Sequence, residues 1–139
     1  MCLSLWAAFT VGCVSAPFPQ SSLTGQVVKV SIGEAVNPHA VTAKPGDEIS
    51  WVNTTAFTVD VWFVPSIDGV VSCNRGFVSS GWGYMFAESV PDNLIVATIH
   101  PGGTASLCFG AGGMYPYRVH VKDASTGPRT KMTGSIVIQ

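Results

Sequence analysis

From residue 27 to the end, apolar and polar positions follow one another in short runs bounded by Gly, Pro and Asn. Val27-Val28-Lys29-Val30-Ser31-Ile32 is a β-branched run, and His39 to Ala43 follows after Asn37-Pro38. Glu48 to Asn53 alternates polar with apolar, the period of a half-buried strand. Phe57 to Val64 places Val59, Val61 and Phe63 on one face. Leu94 to Ile99, Thr104 to Phe109, Tyr115 to Val121 and Thr133 to Gln139 complete the set. Turn-forming residues separate them: Lys44-Pro45-Gly46-Asp47, Pro101-Gly102-Gly103 and Gly110-Ala111-Gly112-Gly113. No repeat and no sustained helical period is visible. The pattern predicts an all-β sandwich or barrel. Residues 65–93 are the least regular stretch, rich in Gly and Ser, with room for a short helix near Gly83 to Glu88.

Composition narrows the function classes. The 139 residues carry 11% charged side chains, against about 25% in ordinary soluble domains, and a net charge of −1. No basic stripe exists to pair with phosphates, so a nucleic-acid partner is not expected. The first charged residue is Lys29, and residues 3–14 form an apolar stretch of signal-peptide length. Thr10-Val11-Gly12-Cys13 resembles the lipobox of bacterial lipoproteins, with Cys13 as the lipidated residue; a cleaved signal ending near Ala16 is the other reading. The chain then divides into a leader (1–13), a Pro- and Ser-rich tether (14–26) and one domain (27–139). It is expected in the periplasm or at the cell surface, touching the membrane only through a lipid anchor. Cys73 and Cys108, the body's only cysteines, point to one disulfide in such a compartment, with two buried thiols as the alternative.

Four motifs in order resemble the cupredoxins. Lys44-Pro45-Gly46-Asp47-Glu48-Ile49-Ser50-Trp51-Val52-Asn53 is similar to the family's K-P-G-D-x-(V/I)-x-W-x-N strand. Pro101-Gly102-Gly103-Thr104 to Phe109 is similar to the edge before its copper-binding hairpin. Tyr115-Pro116-Tyr117 resembles its Y-x-Y strand, and Met132-Thr133-Gly134-Ser135-Ile136-Val137-Ile138 its closing strand. The resemblance implies a Greek-key β-sandwich of about eight strands, with 65–93 as an irregular insertion.

In that family two His, one Cys thiolate and usually a weak Met hold a type 1 copper ion. Carried over by the motifs, the first His position is Val59 and the Cys position Val119. Met132 matches the axial Met, but twelve residues separate it from Val119, a longer loop than in the short-loop members. Valine has no lone pair to offer a metal, so the resemblance implies a degenerate copper site and no bound cofactor. The alternative is copper or zinc on non-standard ligands, His39, His100 and His120, or His120 with Met132. If the fold is right, the three His lie towards the end of the sandwich opposite Pro45-Gly46 and Gly112-Gly113.

Nothing resembles a catalytic elbow, so no enzymatic activity is expected. Asn53-Thr54-Thr55 is a formal glycosylation sequon that the strand-end role of Asn53 in the family argues against. Trp82, Tyr84, Met85 and Phe86 cluster in the irregular segment as candidate partner contacts, or as a flap covering the sandwich. The preferred reading is an exported, copper-free binding or assembly module with a protein partner at the cell envelope. The alternative is a metal-binding electron-transfer or metal-handling protein.

Overall fold

The computed structural model describes residues 23–63, 67, 69–80, 94–123 and 131–139. Among them every element is a strand. In chain order these are β1 (Val27–Ile32), β2 (Val36–Asn37), β3 (Ala40–Ala43), β4 (Glu48–Asn53), β5 (Thr58–Phe63), β6 (Val71–Arg75), β7 (Phe77–Ser80), β8 (Leu94–Ile99), β9 (Thr104–Phe109), β10 (Gly113–Lys122) and β11 (Lys131–Ile138). One sheet has the order β2-β1-β4-β9-β6 and the other β3-β11-β10-β5-β8-β7. Pairing is antiparallel except for β1 with β4 and β3 with β11.

The expected sandwich is present, and period-two alternation explains its core. Val30, Ile32, Ile49, Trp51, Ala105, Leu107 and Phe109 of the first sheet meet Val59, Val61, Phe63, Ala97, Ile99, Tyr117, Val119 and Ile136 of the second in one buried cluster. Trp51 anchors it, with edge-to-face contacts to Phe63, Phe77 and Tyr117 at centroid distances of 5.8, 5.5 and 5.4 Å. Trp62 lies on the opposite face of β5 and forms a second buried cluster with Leu94 and Val96.

The strand count departs from the expected eight. Residues 65–93 contain β6 and β7, so the stretch is not wholly irregular. β6 is the outermost strand of the first sheet, and its Ser72, Asn74 and Arg75 are exposed. A solvated edge needs no apolar alternation, and polar edge residues also discourage pairing with other chains. From Arg75 the chain crosses to the second sheet. There the Asn74 amide donates to Phe77 O (2.9 Å), and its carbonyl accepts from Phe77 N (3.0 Å). The expected helix near Gly83 to Glu88 lies outside the described residues.

The expected disulfide forms. Cys73 on β6 faces Cys108 on β9 as a register pair, with Cα atoms 4.7 Å apart. The Lys44–Asp47 turn is also as expected. Asp47 N donates to Lys44 O (3.0 Å), with Pro45 at the second position and Gly46 at the third. Gly46 has φ = 92°, a conformation that favours glycine.

Candidate functional site

Topology fixes which loops share an end. β4 ends at Asn53, β8 at Ile99, β10 at Lys122 and β1 at Ile32, and the register brings these termini together. The Lys44–Asp47 turn and the 110–112 turn lie at the other end, where Gly46 N donates to Phe109 O (3.0 Å). Asn53 organises the first end. It is fully buried in line with the core-facing residues of β4. Its amide donates to Phe57 O (2.7 Å) and Ile99 O (2.9 Å). Its carbonyl accepts from Thr55 N (2.9 Å) and Thr55 Oγ1 (2.7 Å). All its polar capacity goes to the protein, and folded Asn53 presents no amide to a glycosylating enzyme.

Both positions that the resemblance assigns to copper ligands point into the sandwich. Val59 and Val119 have no exposed surface. Val119 pairs with Val61 across β5 and with Met132 across β11, while Val59 pairs with Val121. Val59 and Val119 are thus diagonal neighbours on one face of adjacent strands. Met132 is partly buried against the same core. At the positions that the resemblance assigns to a thiolate and an imidazole the chain carries buried branched hydrocarbon, and Met132 supplies a single thioether. These residues do not fit a type 1 copper ion, which needs the thiolate above all.

The substitute ligand sets do not assemble. His120 follows Val119 on β10, so its side chain leaves the opposite face of the sheet from Val119 and Met132. His120 and Met132 therefore cannot share an ion. His120 is buried there, edge-on to Trp62 at 6.1 Å. His100 is exposed in the β8–β9 turn, with Nδ1 3.3 Å from Thr58 Oγ1. The register puts it two strands and two residues from His120, about 12 Å between Cα atoms at ~4.8 Å per strand and ~3.4 Å per residue. His39 borders the far edge of this sheet, its carbonyl accepting from Ser135 N (3.0 Å). By the same spacings, two strands and three residues, it is about 14 Å from His120. Among the described residues no three His, Cys, Asp or Glu side chains are grouped to hold a metal ion. Cys13, Trp82, Tyr84, Met85 and Phe86 lie outside the described residues.

Two further features stand outside these ligand sets. Asp60 is buried on the outer face of β5, accepts from Thr98 Oγ1 (2.7 Å) and pairs with Lys122 Nζ (3.0 Å). It stands in register with His120. Alternation along β5 could have placed Asp60 opposite the core face, but not its burial.

The second feature is a cavity of about 550 Å³ at the Asn53 end, lined by Gly33, Glu34, Thr54, Thr55, Phe57 and Asp123, with Ala56 and Val121. Its walls come from the β1–β2 turn, the β4–β5 loop and the end of β10. These segments are distant in sequence, so no local motif could reveal it.

No family model matches the chain, and no curated protein matches it by sequence. Its structure is similar to solved structures of amicyanin. An oxidized proline-to-alanine mutant aligns at TM-score 0.53 with 18% identity, covering 87% of this chain and 95% of that one. The Cu(I) form of a methionine-to-alanine mutant aligns at 0.52 with 19% identity over 87% and 95%. A Cu(I) methionine-to-glutamine mutant aligns at 0.51 with 18% identity over 88% and 90%. At that identity the likeness speaks for architecture alone. With its two sheets, its motif order and these neighbours, the chain has a cupredoxin-like fold.

Proposed function

We propose that this chain is an exported cupredoxin-like domain that works without type 1 copper, as a non-catalytic binding or assembly module at the cell envelope. One observation carries the reading: Val59 and Val119 are packed into the core where the resemblance places a His and the Cys thiolate. Each such buried valine contributes roughly 1.5–3 kcal/mol to stability. The former metal pocket thereby becomes ordinary core, which favours a rigid scaffold over a redox centre. The uncharged leader and the low overall charge support export and surface contact. The Cys73–Cys108 bridge suits an oxidising compartment.

Metal content decides it. The full chain, purified with copper and zinc in excess and then dialysed, should retain less than about 0.1 ion per chain, with a melting temperature unmoved by added metal, since a ligand specific to the folded state must raise stability. About one ion per chain, lost in His120→Ala, would overturn the reading in favour of a rebuilt metal centre.

A further inference from the structure

We propose that Cys73 is the site at which a low-molecular-weight thiol enters the Cys73–Cys108 bridge and stays attached as a mixed disulfide, with Cys108 as the leaving sulfur. The inference goes beyond the binding reading above and does not depend on it.

Topology sets the two sulfurs apart. Cys73 lies on β6, the last strand of the first sheet, and Cys108 on β9, between β6 and β4. On its other side Cys108 stands in register with Glu48 of β4. Residues directly opposite one another share a face of the sheet, so one row runs Glu48, Cys108, Cys73. No described strand lies beyond Cys73 in that sheet. A disulfide exchanges when a thiolate attacks one of its sulfurs, in line with the bond that breaks. The line through Cys73 leads out past the margin of the sheet. The line through Cys108 leads over β4, where Glu48 stands.

Access and charge favour the same sulfur. Cys73 is half-buried, which admits a small thiol, while Cys108 is 1% exposed. Ser106 Oγ donates to Glu48 Oε1 (2.6 Å) and holds that carboxylate on the face of the bridge. A thiolate approaching from β4 therefore meets like charge at close range. Arg75 is exposed two residues along β6, on the face of Cys73 and about 7 Å away by strand rise, and attracts a thiolate to the margin.

The step balances. The thiolate sulfur bonds to Cys73 Sγ as the Sγ–Sγ bond breaks. The electron pair leaves on Cys108 Sγ, which then takes a proton. The thiol is oxidised to the disulfide level and Cys108 is reduced. Burial and the Glu48 carboxylate both oppose a thiolate at Cys108, so its departure is slow and, once protonated, it closes the bridge again only slowly.

The test holds the oxidised full chain with reduced glutathione at about pH 8, where thiolate is plentiful, and quenches with iodoacetamide to cap the freed thiol. Trypsin cuts after Arg75, so Cys73 and Cys108 fall on different peptides, and mass spectrometry counts glutathione on each. In the native chain Cys73 should carry at least 10-fold more than Cys108. In urea, where the fold no longer separates the sulfurs, the ratio should fall to about one. Glu48→Gln keeps an acceptor for Ser106 but removes the charge, and should open the native bridge at least twofold faster. Five outcomes would overturn the proposal: equal labelling in the native chain, excess on Cys108, selectivity that survives urea, a native bridge that glutathione never opens, or an unchanged rate in Glu48→Gln. None of them bears on metal content, so the copper-free reading stands or falls separately.

Discussion

Tyr117 and Gly134 show how single residues of the recognised motifs act. They face each other across β10 and β11. A Cβ at position 134 would fall 2.3 Å from Tyr117 Cζ and Oη, far inside van der Waals contact. Glycine is required there for space: the Tyr117 ring lies across the strand where a side chain would stand. Burial pushes the Tyr117 phenol above its usual pKa, and the neighbouring Trp51 indole draws it weakly back. Even so, neither Tyr117 Oη nor Trp51 Nε1 makes a hydrogen bond of good geometry. Gly134→Ala should therefore destabilise the domain by about 1–3 kcal/mol, the usual cost of overpacking. Combining it with Tyr117→Leu should recover at least ~1 kcal/mol relative to the sum of the single changes, as expected of directly coupled neighbours. Chemical denaturation of the four proteins checks this; strict additivity would mean that the ring and the glycine do not constrain each other. The valines at 59 and 119 were legible because motif spacing located them. The opposed directions of His120 and Met132 were also within reach of the sequence. Once Val119 is placed inward, alternation sends His120 outward, and the Val119–Met132 pairing brings Met132 inward.

At the scale of the element, the β3–β4 turn joins local sequence to solution behaviour. Asp47 accepts from Thr24 Oγ1 and from Lys44 N (2.9 Å), so one carboxylate fastens both the turn and the chain entering β1. The Thr24 hydroxyl, then the Lys44 backbone N–H, hold its pKa below the ordinary 3.8, against the opposing effect of burial. Folded Asp47 binds a proton more weakly than the unfolded chain does. Its stabilisation is therefore complete above the unfolded value and is lost as pH falls through the lower folded one. The stability advantage of the native protein over Asp47→Asn should shrink between about pH 5 and about pH 2. Denaturant midpoints across that range test the point, and a gap that stays constant would show that the carboxylate charge is not used. This turn could be read from Pro45-Gly46-Asp47 because its chemistry is local. β6 and β7 could not be read so easily. β6 is a short, polar edge strand whose place depends on Cys108 and on the Asn74–Phe77 bonds, all contributed by tertiary structure. The cavity was illegible for the same reason, since three distant segments create it.

At the scale of the whole molecule, the disulfide holds the margin of the first sheet. It joins β6, the outermost strand, to β9, and the next residues carry the chain into β7 of the other sheet. Without the bridge, β6 keeps its ladder to β9 on one side only, and an edge strand of five residues is among the first parts of a sandwich to open. Closing a loop over a sequence separation of 35 should restrict the unfolded chain enough to stabilise the fold by roughly 3–4 kcal/mol. That is a large share of the 5–15 kcal/mol by which domains usually exceed unfolding. Cys73→Ser with Cys108→Ser should therefore lower the melting temperature by about 10 °C or more, and reductant should do the same to the native protein. Hydrogen exchange should quicken first in β6 and β7, while β4, β5 and β10, which surround Trp51, keep their protection. Uniform loss of protection across both sheets would place the bridge in the global folding unit instead of at its margin. The same experiment tests the logic of the proposed copper-free core. If Val59, Val61, Val119 and Met132 supply packing in place of a metal, the amides of β5 and β10 should stay slowest to exchange with the disulfide broken and no ion added. Early exchange there would mean that the valine-filled pocket is a weak point of the sandwich.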